Sequence, residues 1–223
     1  RPLAVQGPKA ADVLAKVFGE RIYSIKKFNF DYFSLDGSSQ LIAKTGYSRI
    51  GGFEIYLSRP ELGSSLWETI LEAGRSENIR PGSPNIIDRV EAGLLSFGNE
   101  MTVENTPLEC NMDKFLDINK EADYIGKKVL QRQIRYGIKR RIRGVIYKGP
   151  KLPTISRPLQ VFDLDKRTIV GSLTSGAFSP HFKSNIGVGM VKYGYWDNNK
   201  KILVNIADQE FREGLIKDLP LIQ

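Results

Sequence analysis

The sequence predicts an α+β layer followed by a small β-barrel, and three observations carry that prediction. Two apolar strand patterns flank a glycine-bearing loop at residues 44–52, with residues 40–43 before it and the alternating Phe53, Ile55 and Leu57 after it. Helical patterns stand on both sides of these strands. Beyond Gly137, short alternating strands separated by turns recur, the pattern of a barrel or sandwich. With 223 residues, 41% of them hydrophobic, the chain is long enough to bury such cores.

Taken in order, Gln6-Gly7-Pro8 forms a turn, with Pro8 at a first helical position. Ala10, Val13, Leu14 and Val17 then keep helical spacing up to Gly19. Residues 24–35 read as a strand in which Phe28, Phe30 and Tyr32 share one side and Phe33 takes the other; such aromatics are expected in the core. Asp36-Gly37 is a hairpin turn. Strands at 40–45 and 53–58 follow, ended by Arg59-Pro60. Ser65 with Glu68 reads as a capping box that opens a second helix, with Leu66, Trp67, Ile70 and Leu71 as its apolar stripe and Gly74 as its stop. Ser83 and Pro84 open a third helix that runs through Ile86, Ile87, Val90, Leu94 and Leu95 to residues 97–99. This order resembles a ferredoxin-like half.

The character changes after Asn105. Residues 106–109 read as extended and residues 125–136 as a basic helix. Strands are expected at 142–147, 158–164, 168–175, 186–191 and 202–206. The boundary is drawn near residue 112, which gives an α+β domain at 1–112 and a barrel domain with a leading helix at 113–223.

Composition excludes several classes. One cysteine, Cys110, and one histidine, His181, allow neither a disulfide framework nor a zinc site built on Cys and His, so no metal is expected. The lack of disulfides suits a reducing cytoplasm. No run of apolar residues is long enough for a membrane helix, and no signal peptide is visible. The chain opens within a strand pattern and without Met, as a piece of a longer protein would. The net charge of +8 is concentrated between Lys127 and Lys151, and reads as a solvated helix followed by an edge strand guarded by charge, with no nucleic-acid or membrane partner.

The chemistry gathers in the central hairpin. Alternation turns Phe53, Ile55 and Leu57 one way, and Glu54 and Tyr56 the other. A carboxylate and a phenol thus stand side by side just past a Gly-Gly turn, which lets a backbone approach a ligand closely. On pattern alone this is the solvated face of an edge strand. A complete phosphate-cradling glycine loop is absent, and so is a Gly-x-Ser-x-Gly nucleophile motif. Arg89, in the apolar third helix, reads equally as a boundary residue or as a functional one.

The literal sequence adds a resemblance. Thr45-Gly46-Tyr47 followed by Gly52-Phe53-Glu54-Ile55 resembles the hairpin of the glycine-cleavage T-protein (aminomethyltransferase) family. Six further segments resemble that family in its own order: Gln6-Gly7-Pro8-Lys9-Ala10, residues 87–94, Gly98-Asn99-Glu100, Thr106-Pro107-Leu108-Glu109, residues 123–127, and Gly171 to Gly176 with Ser179-Pro180 and Asn185-Ile186. The match spans nearly the whole chain.

That resemblance implies three domains around a folate cavity, the last a small β-barrel, with this chain forming the C-terminal two-thirds. The N-terminal domain here would be a partial folate-binding domain, and the family's catalytic Asp would lie upstream, so no catalytic residue is assigned. The implied cofactor is tetrahydrofolate. Glu54 would accept hydrogen bonds from the pterin, Phe28 would pack on it, and Arg89 would orient the ligand or brace the cavity. Residues 53–57 together with Leu66-Trp67-Glu68 look closest to the dimethylsulfoniopropionate demethylase branch, which moves a methyl group from a sulfonium to tetrahydrofolate. A sulfonium is stabilised by aromatic faces, and Tyr47 and Tyr56 are the candidates; Tyr56 also borders the folate. Two departures stand out: Asn85-Ile86-Ile87 replaces the T-protein's first Arg, and Tyr47 with Arg49 match neither branch. The alternatives are a true aminomethyltransferase, whose partner would be a lipoylated carrier protein, and a folate-binding relative without turnover. In each case the remaining partner is a small-molecule donor.

Overall fold

The structure is a computed structural model that describes residues 2–83 and 85–222; the expected helix-opening Pro84 lies outside the described residues. The chain forms two compact units that divide between Asn85 and Ile86. The division expected near residue 112 therefore falls inside the second unit.

The first unit holds β1 (Leu3–Gln6), α1 (Ala10–Phe18), β2 (Phe30–Leu35), β3 (Ser38–Ala43), β4 (Gly52–Tyr56) and α2 (Gly63–Ala73). Its strands form one antiparallel sheet in the order β1-β4-β3-β2. Strand alternation sends Val5, Phe33, Ile42, Phe53 and Ile55 to one face, where they pack with Val13 and Leu14 of α1 and with Leu66 and Ile70 of α2. Each such side chain, once fully buried, contributes about 1.5–3 kcal/mol. The α+β expectation holds.

Several local expectations do not. The strand expected from residue 24 begins only at Phe30, because Glu20–Ser24 winds as a 3-10 turn and Phe28 has a φ of 64°. Phe28, Phe30 and Tyr32 are exposed, and only Phe33 is core. Ser65 caps nothing: a 3-10 turn at Pro60–Leu62 leads directly into α2, which has no side-chain cap. Trp67 sits at the rim of α2, 38% exposed, because the buried stripe is Leu66 and Ile70 at helical spacing.

The second unit holds α3 (Ile86–Glu91), α4 (Lys127–Tyr136), β5 (Arg140–Tyr147), β6 (Leu159–Phe162), β7 (Ile169–Ser179), β8 (Ser184–Lys192), β9 (Lys201–Ala207) and β10 (Glu210–Lys217). The strands close into a barrel in the order β10-β5-β8-β7-β6-β9. Val145, Tyr147, Leu173, Val191, Ile202 and Ile216 are among those that fill it. Outside the barrel wall, Val90 of α3 packs on Ile142, Ile186 and Val188. The C-terminal segment is fastened there as well, with the Leu221 N–H donating to the Glu91 carbonyl at 2.9 Å. A Cβ at Gly144 would sit 2.6 Å from the Leu221 side-chain tip, so glycine lets that segment lie close on β5.

Closure of the barrel overturns the edge-strand reading of the basic stretch. β5 is paired on both sides, to β10 and β8. Its arginines are matched by acids: Arg140 with Glu109 at 3.0 Å, Arg141 with Asp113, and Arg143 with Asp218. Helix α3 stops at Glu91 rather than near residue 97, where Gly93 turns the chain with a φ of 65°. Residues 106–109 form a capped turn, not an extended segment: the Thr106 N–H donates to Glu109 Oε2 at 3.0 Å and the Glu109 N–H to Thr106 Oγ1 at 3.4 Å. Among the described residues no helix is long and apolar enough to cross a membrane.

Candidate functional site

β4 is an interior strand, paired to β1 and β3, so Glu54 does not stand on a sheet edge. The register places Glu54 between Ala4 and Ala43, with Phe30 next in the same row. The neighbouring row is Tyr56, Leu41 and Tyr32. Both rows lie on the face turned away from α1 and α2. Adjacent strands are about 4.8 Å apart, so Glu54 and Phe30 stand about 10 Å apart with only alanine between them. The Phe30 and Tyr32 rings meet edge to face at 5.9 Å. Tyr56 is 44% exposed, while Glu54 is half-buried.

The upper end of the face is built by two turns. The Phe28 N–H donates to the Lys44 carbonyl at 3.1 Å, and its ring is exposed with the Lys27 ammonium 5.2 Å from the centroid. The loop at residues 44–51 carries Tyr47, which is exposed, and returns through Gly51 and Gly52 at φ 86° and 145°. Thr45 Oγ1 donates to Glu54 Oε2.

Arg89 lies in the second unit and is 6% exposed. Its Nη1 donates to Glu100 Oε2 at 2.8 Å and to the Leu94 carbonyl at 2.9 Å; its Nη2 donates to Glu100 Oε1 at 3.3 Å and to Ser175 Oγ at 2.5 Å. Glu100 also accepts the Ser96 N–H at 2.7 Å. This is a buried fork-to-fork ion pair that joins α3, the following loop and β7. It has the geometry of a brace.

Glu54 and Tyr56 thus share one face of one sheet, with Phe28 on the turn that leads into β2 and Tyr47 on the adjoining loop, while Arg89 belongs to a separate constellation. Sequence reasoning missed Gln6, Thr45, Phe30 and Tyr32 as members of the first site, and Glu100 and Ser175 as partners in the second. For Phe30 and Tyr32 the signal was present in their alternation with Phe33. Cys110 is buried, and burial pushes its thiol above its ordinary range, away from a nucleophile's requirement. His181 rests edge-on against Phe182 at 4.9 Å. A concavity of about 370 Å³ lies against Ile118, Lys127 and Gln131 and involves none of these residues.

Residues 1–120 match the family model described as the GCVT N-terminal domain, and residues 140–219 match the glycine cleavage T-protein C-terminal barrel domain. The chain belongs to the glycine cleavage T-protein family. Within it, the chain is 44% identical over 195 residues to the dimethylsulfoniopropionate demethylase DmdA of Ruegeria pomeroyi, covering 87% of this chain and 52% of that protein. It is 37% identical over 217 residues to an aminomethyltransferase of Caldanaerobacter subterraneus subsp. tengcongensis, covering 96% of this chain and 56% of the relative. The chain therefore spans about half the length of the curated relatives it matches. The fold is that of the glycine cleavage system aminomethyltransferase T from Bartonella henselae, with a TM-score of 0.82 at 24% identity over 99% of this chain and 59% of that one.

Proposed function

We propose that the protein transfers a one-carbon unit to tetrahydrofolate, taking a methyl group from a sulfonium donor of the dimethylsulfoniopropionate type. The observation that carries the reading is the position of Glu54, half-buried in the middle of a sheet face and flanked by alanines. A carboxylate there accepts hydrogen bonds strongly and leaves room for a planar ring beside it. Tyr56 supplies π surface on the same face as that carboxylate, and Phe28 stands exposed on the turn into β2, which suits a heteroaromatic ring that carries N–H donors. Tetrahydrofolate, when bound, supplies the nitrogen that receives the one-carbon unit. The chain's own residues orient it for the transfer. Tyr47 and Tyr56 are the side chains assigned to the cationic donor.

The likeness to the demethylase DmdA supports the donor class. The likeness to aminomethyltransferases supports a second reading, aminomethyl transfer in glycine cleavage, with a lipoylated carrier protein as partner. Both need folate at Glu54. A cytoplasmic setting goes with either reading and suits a chain with one buried, unpaired thiol. The test is the tetrahydrofolate affinity of the intact protein by calorimetry. Glu54→Ala weakens binding severely on this reading, to a residual level seen only at high folate; unchanged affinity overturns it.

A further inference from the structure

One side chain fastens the loop at residues 44–51. Gln6 Nε2 donates to the carbonyls of Thr45 and Phe53, each at 3.3 Å, and Gln6 Oε1 accepts from Ser48 Oγ at 2.9 Å. The start, middle and far end of the loop are therefore tied to the last residue of β1. Glycines make the room: a Cβ at Gly46 would sit 2.0 Å from Gln6 Oε1, and one at Gly52 would sit 2.7 Å from Gln6 Cδ. What this clamp fixes is Thr45, whose hydroxyl donates to Glu54 Oε2.

A glutamate's terminal torsion is broad, so an unsupported carboxylate takes many orientations. Ordering it on ligand binding costs affinity. A donor held by the clamp removes that cost beforehand. It also leaves the other carboxylate oxygen, and the remaining lone pair of Oε2, for incoming donors.

We propose that Thr45 and Gln6 are positioning residues for Glu54: the Gln6 clamp sets Thr45, and Thr45 sets the carboxylate that receives the ligand. This rests on the reading of Glu54 as the folate-contacting group. The experiment is a double-mutant cycle on tetrahydrofolate affinity in the intact protein. Thr45→Val is expected to weaken binding about ten-fold, the size of one hydrogen bond to a charged group. Thr45→Ser restores it, and Gln6→Ala weakens it in the same direction. In a Glu54→Ala background, measured at folate concentrations high enough to see residual binding, Thr45→Val has no further effect. A purely structural role for Thr45 would add its own loss there. Thr45→Ala serves as the second removal if the valine variant does not accumulate. Full affinity in both Thr45→Val and Thr45→Ala, while Glu54→Ala loses it, overturns the positioning role alone. Full affinity in Glu54→Ala overturns the folate reading and the positioning role with it.

Discussion

Arg89 and Glu100 meet through two hydrogen bonds, at 2.8 and 3.3 Å, with side chains only 7% and 0% exposed. Removing one member of such a pair strands the other as a buried charge. Arg89→Ala is expected to destabilise the protein by about 3–5 kcal/mol, read as a lower midpoint in chemical denaturation. Replacing both members with apolar residues of similar volume should cost far less. If Arg89→Ala keeps wild-type stability but loses folate affinity, the side chain contacts ligand and is not a brace.

The Gln6 clamp makes two neighbouring glycines behave differently. At Gly46 an added Cβ meets the far end of a flexible side chain, Gln6. At Gly52 it meets the Val5 carbonyl at 2.4 Å, with φ at 145°. Both Gly46→Ala and Gly52→Ala should lower thermal stability, by about 1–3 kcal/mol from overpacking. Adding Gln6→Ala should recover most of the loss at Gly46 but much less at Gly52, where the Gln6 contact goes and the closer Val5 carbonyl, being backbone, cannot step aside. Equal recovery at both positions would contradict this.

The contrast between what could and could not be read beforehand follows the range of the interactions. The alternation of Phe53, Glu54, Ile55 and Tyr56 is local, and it placed each side chain on its correct face. The barrel strands β5 to β9 carry dense apolar signals and were legible for the same reason. β10 was not, because Glu210-Phe211-Arg212-Glu213 is mostly polar and its pairing with β9 and β5 comes from the closed barrel. Whether Glu54 stood at an edge depended on β1, whose register with β4 no local pattern reports. Arg89 was ambiguous because one of its partners, Ser175, lies 86 residues away. The failed capping box at Ser65 and the real one at Thr106 share a motif; Pro60 had already started the turn in the first case.

Acid should reveal a second ionic tie. Glu77 receives hydrogen bonds from Lys9 at 2.7 Å and Lys16 at 3.0 Å, which join α1 to the turn after α2. Those two ammonium groups, Lys9 foremost, hold its carboxyl down from the ordinary 4.5 to about 2. A carboxylate with a depressed folded pKa contributes stability above its unfolded value, and that contribution is lost as pH falls through the folded one. Wild type should therefore exceed Glu77→Gln in stability above pH 4.5, and the gap should close between there and about 2. Salt should narrow the gap at neutral pH. Urea unfolding of both proteins across that range is the measurement; a gap that widens on acidification would refute it.

Tyr56 separates the two donors. It lies beside Glu54 on the outer sheet face, with Leu41 and then Tyr32 across the strands. On the proposed function, a sulfonium held there would gain from the ring's π face, whereas folate would be held through the Glu54 carboxylate. Loss of one cation–π contact, about 0.5–2 kcal/mol, corresponds to about a 2- to 30-fold change in affinity. Tyr56→Leu should therefore raise the KM for dimethylsulfoniopropionate by a factor in that range while the tetrahydrofolate Kd moves much less. Tyr56→Phe should keep both near wild type, because on that reading the ring and not the hydroxyl would meet the cation. A loss confined to the folate Kd would place Tyr56 against the folate alone. A protein that turns over an aminomethyl donor and ignores the sulfonium would shift the assignment to the glycine-cleavage branch, with the role of Glu54 unchanged.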